Sequence, residues 1–383
     1  MTNFRLFAVT APGLEPYAAQ ELRAFSAIGV HATVGGVEFG GERRDVYRTN
    51  LHVRTASRIL VRLGEFYATA FSELRKKAGR LPWEQFLAPG QPVAIKVTCH
   101  KSRLYHSDAV AERVAGAIED RLGQNTPRQT GNDEAESNPA QLIVVRLNHD
   151  RCLISVDSSG ELLHRRGYRL ATAKAPLRET LAAGIVMASG WTRDAPLVDP
   201  FCGSGTIAIE AALLAKHLAA GRARRFAFMD WPGFEAALWQ SLLEAANPQS
   251  VSTPPRILAS DRDAGAIDSA RANAERAGVA DCIEFSRRAV STIEPPAGPG
   301  WVVTNPPYGV RVSQDRDLRN LYAQFGNVLR AKFLGWQVAV LSNSAQLLGQ
   351  VGLNFDQSIS LINGGLKVRL VKGTVFGTPW LRQ

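Results

Sequence analysis

The chain has only four cysteines in 383 residues, and no apolar run near the ~18 residues that would span a bilayer. Cys99, Cys152, Cys202 and Cys282 stand far apart, without the paired spacing of a zinc site or a disulfide framework. Reduced thiols and no metal are therefore expected. The N-terminus, Met1-Thr-Asn-Phe-Arg-Leu-Phe7, lacks the basic stretch and apolar run of a secretory signal, so a cytoplasmic protein is expected. No repeat of fixed period stands out, which argues against a solenoid or propeller.

What is present is length, an ordinary apolar fraction and positive charge. A chain of this size exceeds a usual single domain, and 45% hydrophobic residues supply normal cores. The formal net charge is +10. Such an excess favours a polyanionic partner, because neutralising phosphates releases counterions. A solvated basic face would explain the same charge without a ligand. Clustering favours the partner: Arg43, Arg44, Arg48, Arg54, Arg58 and Arg62 recur over one short region. Arg75, Lys76, Lys77 and Arg80 follow, then Lys101 and Arg103, then Arg165, Arg166 and Arg169. Arg44, Arg48, Lys76, Lys77, Lys101, Arg165 and Arg166 are the expected phosphate contacts.

The N-terminal part alternates short strands and helices. Strands are expected at 4–10, 58–63, 92–98, 142–147 and 152–157, with helices at 13–25, 72–78 and 108–122. Leu14, Ala18, Leu22 and Phe25 share one helical face, and 30–39 reads as a hairpin turning at Gly35-Gly36. No glycine-rich loop follows any of these strands, so small α+β units fit better than a parallel-sheet enzyme. The polar stretch 124–140 reads as a loop. From about Ala175 strands and helices alternate strictly: helices at 181–189, 204–218, 263–277 and 318–329, strands at 196–199, 256–260, 282–285, 301–304 and 337–341. Strands 358–362 and 366–371 flank Asn363-Gly364-Gly365, a tight hairpin signal. An α/β doubly wound sheet ending in an antiparallel hairpin follows, with ligands at the carboxyl ends of its strands.

Two loops carry the chemistry. In Asp199-Pro-Phe201-Cys-Gly203-Ser-Gly205-Thr206 the glycines allow close backbone approach, and the following helix offers free N–H groups. The loop lacks the full G-x-G-x-x-G of a dinucleotide site. S-adenosylmethionine, with one carboxylate and a sulfonium, suits it better, and Asp199 would face the cationic methionine part. Asp261 ends the next strand, where an acid accepts ribose hydroxyls; Asp263 reads equally as the N-cap of the next helix. The second loop is Asn305-Pro306-Pro307-Tyr308-Gly309. An exocyclic base amine is a poor nucleophile because its lone pair is delocalised into the ring. The side-chain oxygen of Asn305 and the carbonyl of Pro306 would accept the two N–H bonds and localise that pair. Pro306 and Pro307 hold the acceptors in place, and Tyr308 offers a face on which the base stacks. No strong base is needed, and none of the seven histidines lies in either loop.

On these residues, together with Leu162-Leu-His-Arg-Arg-Gly-Tyr-Arg169 and Ala175-Pro-Leu-Arg-Glu-Thr-Leu-Ala-Ala183, the chain resembles the bacterial THUMP-domain RNA methyltransferases. The likeness is greatest to the N-terminal, guanine-N2 half of bifunctional 23S rRNA methyltransferases. Weaker similarity at 7–15 and 56–60 extends it over nearly the whole chain. The resemblance implies a ferredoxin-like unit (1–55), an RNA-gripping THUMP domain (56–160) and a Rossmann-like methyltransferase domain (161–383). It also implies that Arg178, Glu179 and Thr180 border the cofactor pocket, beside Phe201, Gly203, Gly205, Thr206 and Arg262. The chain departs from the pattern in Arg287-Arg288-Ala289-Val290, which offers no acid to the adenine amine; backbone and apolar contacts near Ala289 would serve instead. The sequence ends at Gln383 without a second methyltransferase half, so a single activity is expected. The leading expectation is N2-methylation of a guanosine in 23S rRNA. The alternatives are tRNA guanine-N2 methylation, adenine-N6 methylation of DNA, and a non-catalytic RNA-binding assembly factor.

Overall fold

In the computed structural model, residues 3–25, 27–129, 140–169, 177–246, 255–308 and 315–376 are described, the side chains of 315–317 excepted. Gly309, Ala175, Pro176 and most of the polar stretch 124–140 lie outside them. The chain divides into two compact units, each built on one seven-stranded sheet. The first unit holds residues 1–10, 18–163 and 224–245; the second holds 11–17, 164–223 and 246–383.

In chain order the first unit begins with β1 (Phe4–Thr10), α1 (Glu15–Ala24), β2 (Ile28–Thr33), β3 (Gly36–Gly41) and α2 (Arg43–His52). It continues with β4 (Ala56–Tyr67), α3 (Phe71–Ala78), β5 (Val93–His100), α4 (Ser107–Leu122), β6 (Gln141–Asn148) and β7 (Arg151–Asp157). Strand order is β2-β3-β1-β4-β7-β6-β5. All neighbours are antiparallel except β5 and β6. The long β4 pairs with β1 on one side and β7 on the other, so one sheet runs through both expected N-terminal pieces. The β2–β3 turn falls at Val34–Gly35, one residue before the expected Gly35-Gly36, because Gly36 already pairs with Thr33. Leu14, Ala18 and Leu22 are buried as the helical face predicts, while Phe25 is half-buried.

The second unit follows with α5 (Glu179–Ser189), β8 (Leu197–Asp199) and α6 (Thr206–Ala215). The chain then returns to the first unit for α7 (Ala236–Ala245). There Tyr47 stacks on Phe228 at 4.4 Å, and Trp239 packs edge-on against both. The second unit resumes with β9 (Ile257–Asp261), α8 (Ala264–Ala277), β10 (Ile283–Arg287), β11 (Trp301–Thr304), α9 (Asp315–Lys332), β12 (Gln337–Ser342), α10 (Ala345–Val351), β13 (Gln357–Asn363) and β14 (Leu366–Thr374). Strand order is β10-β9-β8-β11-β12-β14-β13, parallel up to β12 and antiparallel across β14 and β13. This is the expected doubly wound sheet with a terminal hairpin. Every residue of α6 is buried, and β8 is buried throughout, so these central elements are largely apolar, with Thr206, Glu210 and Asp199 as their buried polar members. The order reverses between β8 and β11, the crevice where open α/β sheets bind ligands. No helix among the described residues is long and apolar enough to cross a membrane.

Candidate active site and nucleic-acid surface

Both sequence loops leave the carboxyl ends of neighbouring strands, since β8 and β11 are paired. After β8 the chain turns through Gly203 (φ +50°) and Gly205 (φ +83°), the N-cap of α6. A Cβ on Gly205 would lie 3.0 Å from the Ala270 Cβ of α8, so glycine is required there by conformation and by space. A Cβ on Gly203 would meet nothing within 4 Å, so the loop faces open room. Phe201 turns away from the loop and packs edge-on against Phe325 at 5.4 Å.

Asp199 and Asp261 touch this loop, and Asp263 and Glu179 stand at the starts of α8 and α5. Asp199 is 1% exposed, and its Oδ1 accepts from the Thr304 hydroxyl at 2.6 Å and the Phe201 N–H at 3.3 Å. Burial pushes its carboxyl up to about 7, helped by the nearby Asp261 charge and opposed by those two hydrogen bonds. Asp261, half-buried, accepts from the Gly203 N–H at 3.1 Å and the Asp263 N–H at 3.0 Å. It therefore staples the glycine loop to the end of β9, a role its position in the sequence does not reveal. Asp263 caps α8, accepting from Gly265 and Ala266 N–H groups at 2.8 and 3.3 Å. Glu179 opens α5 and is 3% exposed. Its Oε1 lies 3.4 Å from Arg169, while its Oε2 is buried without a hydrogen-bond partner among the described residues. Burial raises its carboxyl, against the lowering effect of Arg169.

Arg169 also donates to the Thr206 hydroxyl at 3.0 Å and the Leu177 carbonyl at 2.8 Å, joining the starts of α5 and α6. Thr180 is buried one residue into α5. Arg262 and Ala289 are exposed, Arg262 directly after β9 and Ala289 two residues beyond β10.

After β11, Asn305 is half-buried and its Oδ1 is buried with no hydrogen-bond partner among the described residues. Pro306 is buried and Pro307 exposed. The Pro307 carbonyl accepts from the Tyr322 hydroxyl at 3.3 Å, and that hydroxyl lies 3.4 Å from Ser342 Oγ. The ring of Tyr308 packs on both apolar clusters of the second unit, and its hydroxyl accepts from Asn363 Nδ2 at 3.1 Å. Burial raises the Tyr308 hydroxyl, against the lowering effect of Asn363. Thr304, Tyr322, Asn363 and Arg169 are thus parts of the site that sequence reasoning missed. Thr304 stands beside the second loop, Arg169 was visible only as the end of the stretch 162–169 and Asn363 only as the start of a hairpin turn, and Tyr322 comes from the middle of α9. His164 is pushed down to about 3 by burial and by Arg178, Arg165, Arg166 and Arg169, so it stays neutral and offers no cation.

The basic residues divide sharply by burial. Arg54 and Arg58 are 6% and 9% exposed, and Arg58 pairs with Asp157 at 2.6 Å. Arg62 is covered and reaches Glu38 at 3.1 Å, while Arg43 engages Glu235 at 3.3 Å. Arg48 donates to Asp45 at 2.8 Å and to the Phe25 carbonyl. Most of the arginine run therefore holds the first unit together, and Arg44 is its exposed member. Arg166 must be corrected outright. It is 4% exposed and paired with the buried Glu210 at 3.3 Å, which rules out a surface phosphate contact. Arg165 is half-buried. Lys77 binds Glu73 at 2.6 Å and the Tyr67 carbonyl at 2.7 Å, whereas Lys76 is exposed. Lys101 and Arg103 are exposed at the end of β5, near the 67%-exposed Tyr105, whose ring lies 4.1 Å from that of His106. Sequence reasoning passed over Tyr105.

Comparison with known proteins adds three family matches: the RlmL ferredoxin-like domain over residues 5–60, the THUMP domain over 68–157, and the RMKL-like methyltransferase domain over 166–372. The chain is 37% identical over 368 residues to a Synechocystis sp. protein named "Putative RNA methyltransferase slr0064", covering 96% of this chain and 95% of that one. It is also 37% identical over 379 residues to the ribosomal RNA large subunit methyltransferase K/L of Syntrophotalea carbinolica. That match covers 96% of this chain and 53% of the relative, so the chain spans about half the length of the K/L protein. Among solved structures, SMU.472, "a putative methyltransferase complexed with SAH", matches with a TM-score of 0.87 at 30% identity, covering 99% of each chain.

Proposed function

The chain belongs to the RMKL-like methyltransferase family with ferredoxin-like and THUMP domains, and from this we propose that it methylates N2 of a guanosine in structured RNA, with 23S rRNA as the first substrate. It is a methyltransferase whose cofactor is S-adenosylmethionine. When bound, that cofactor supplies an electrophilic methyl group on a sulfonium. The residues present fit it. Open room at Gly203, the unpartnered Glu179 Oε2, and the acids Asp199 and Asp261 suit a ligand with two positive groups and a ribose. Asp261 would accept the ribose hydroxyls, and Asp199 and Glu179 would face the cationic end. Gly203, Gly205, Thr206 and Thr180 would line the methionine side, with Arg262, Asp263 and Ala289 towards the nucleoside.

The observation that carries the reading is the buried, unpartnered Oδ1 of Asn305. An acceptor kept from water without a partner costs about 1–3 kcal/mol, and a base amine entering the site would satisfy it. The Asn305 oxygen and the Pro306 carbonyl would take the two N–H bonds, and the Tyr308 face would hold the ring. An amine held in this way would be placed to take the cofactor's methyl group: the carbon–sulfur bond would break as the nitrogen–carbon bond forms, S-adenosylhomocysteine would leave, and the surplus nitrogen proton would pass to solvent. The choice of guanine N2 rests on the motif resemblance, and RNA on the THUMP match and the relatives' names. A THUMP domain at 56–160 after a ferredoxin-like unit at 1–55, ahead of a methyltransferase domain at 161–383, and a cytoplasmic location complete the proposal. Nucleoside mass mapping of rRNA and tRNA from a deletion strain tests it. Loss of one N2-methylguanosine from 23S rRNA is expected; loss from tRNA moves the substrate, and loss of an N6-methyladenosine overturns the base.

A further inference from the structure

The residues of the Asn305–Tyr308 loop are treated unequally. The inner acceptor, Asn305 Oδ1, has no partner, while the outer end is tied at two points. One tie is Tyr322 on the Pro307 carbonyl; the other is Asn363 on the Tyr308 hydroxyl. Asn363 is the last residue of β13 and pairs with Leu366 across Gly364 (φ +55°) and Gly365 (φ +84°). Two positive φ values make this a type I′ turn, whose twist matches that of the strands and leaves the closing pair little freedom. Behind it, β14 pairs with β12 from Arg369 to Thr374, and Val368 and Leu370 are buried in the core. Asn363 is therefore a fixed point, and it grips the far end of a ring that otherwise turns about two torsions.

We infer that Asn363 is a positioning residue, which acts through the Tyr308 hydroxyl to set the plane in which the ring meets the target base. Stacking depends on the angle and offset of the two rings, so a tether at the hydroxyl sets both at once. The same logic explains why the inner acceptor is left open while the outer end is tied. Asn305 waits for the substrate, whereas Tyr308 must already be oriented when the base arrives. The inference rests on the amine-methylation reading above.

The test uses the full-length protein, labelled cofactor and total RNA from a strain lacking the gene, under single-turnover conditions. Asn363→Leu keeps the side-chain size and loses the donor. It should slow transfer roughly 3–10-fold, the worth of one net hydrogen bond, with cofactor affinity unchanged by calorimetry. Asn363→Asp should restore most of the rate, because the Tyr308 hydroxyl then donates to the carboxylate. In a Tyr308→Phe background neither substitution should slow the reaction further, since the shared bond is already gone. Rates that multiply independently in the double variants, a wild-type rate for Asn363→Leu, or an Asp variant as slow as the Leu variant would overturn the inference. Should Asn363→Leu fail to fold, Asn363→Ala, which also removes the donor, with and without Tyr308→Phe decides in the same way. Failure of the amine-methylation reading shows separately, as label recovered on a base carbon or a ribose.

Discussion

With Asn305 proposed to serve the substrate and Asp261 the cofactor, their variants should separate cleanly. Asn305 Oδ1 meets no donor among the described residues, so Asn305→Ala removes no hydrogen bond seen there. It should cut the single-turnover rate by about 10²–10³, as for loss of one preorganised hydrogen bond in other enzymes, with cofactor affinity nearly intact. Retention of more than about a tenth of the wild-type rate would remove this role from Asn305. Asp261 is different, because both carboxylate oxygens already hold backbone N–H groups, one of them in the glycine loop. Asp261→Ala should weaken cofactor binding about 10–100-fold, the range of one charge-assisted hydrogen bond, plus any loosening of Gly203. Unchanged affinity by calorimetry would show that the carboxylate is only a loop staple.

At the level of elements, the decisive fact is that β8 and β11 lie side by side, though about a hundred residues separate them. The Thr304–Asp199 hydrogen bond crosses that pair at 2.6 Å and locks the two loops at one height. It also buries a carboxyl whose folded pKa of about 7 stands above its ordinary value of 3.8. Between these values the native state holds the extra proton, so stability falls as pH rises. The contribution is complete below the unfolded value and is lost as pH climbs through the folded one, by up to about 1.4 kcal/mol per unit. Asp199→Asn removes this dependence. Relative to wild type without cofactor, the variant should gain stability steadily from pH 4 to 7 in urea titrations; His52 and His164 cancel in the difference. Parallel profiles would show that Asp199 titrates normally.

Element existence was legible wherever apolar residues kept a period, as in α4 or β6. The elements missed had thin faces. α2 buries only Val46, Tyr47 and Leu51 of its large apolar residues, and its one clear signal is the Glu42–Asp45 capping box. α7 lies within the methyltransferase half of the sequence yet joins the first unit, where Trp239 completes an aromatic cluster with Tyr47, Phe226 and Phe228.

For the whole molecule, the net charge of +10 overstates what is free to meet a phosphate, since Arg54, Arg58, Arg62 and Arg166 are covered. Arg44, Lys76 and Lys101 remain exposed. If these three meet RNA, changing them together to Glu should weaken binding and flatten the salt dependence by about 0.7–0.9 log units for each phosphate no longer neutralised. Filter binding to rRNA fragments across a salt series measures this, with cofactor affinity as the control. An unaltered slope would leave them as a solvated face. Point substitutions are the right probe, because deleting residues 1–160 would strip Phe226, Phe228 and Trp239 of Tyr47, their partner in the aromatic cluster.

Residue types alone were enough for whatever is written in local chemistry: the strand and helix periods, both glycine- and proline-shaped loops, the cap at Asp263 and the I′ turn at Gly364–Gly365. Each of these depends on neighbours within a few positions along the chain. Folding had to settle which cations are free, which acid staples the glycine loop, and that Tyr322 and Asn363 hold the methylation loop. Those depend on burial and on partners tens or hundreds of residues away. A burial boundary or a hydrogen bond across a sheet leaves no periodic trace in the chain.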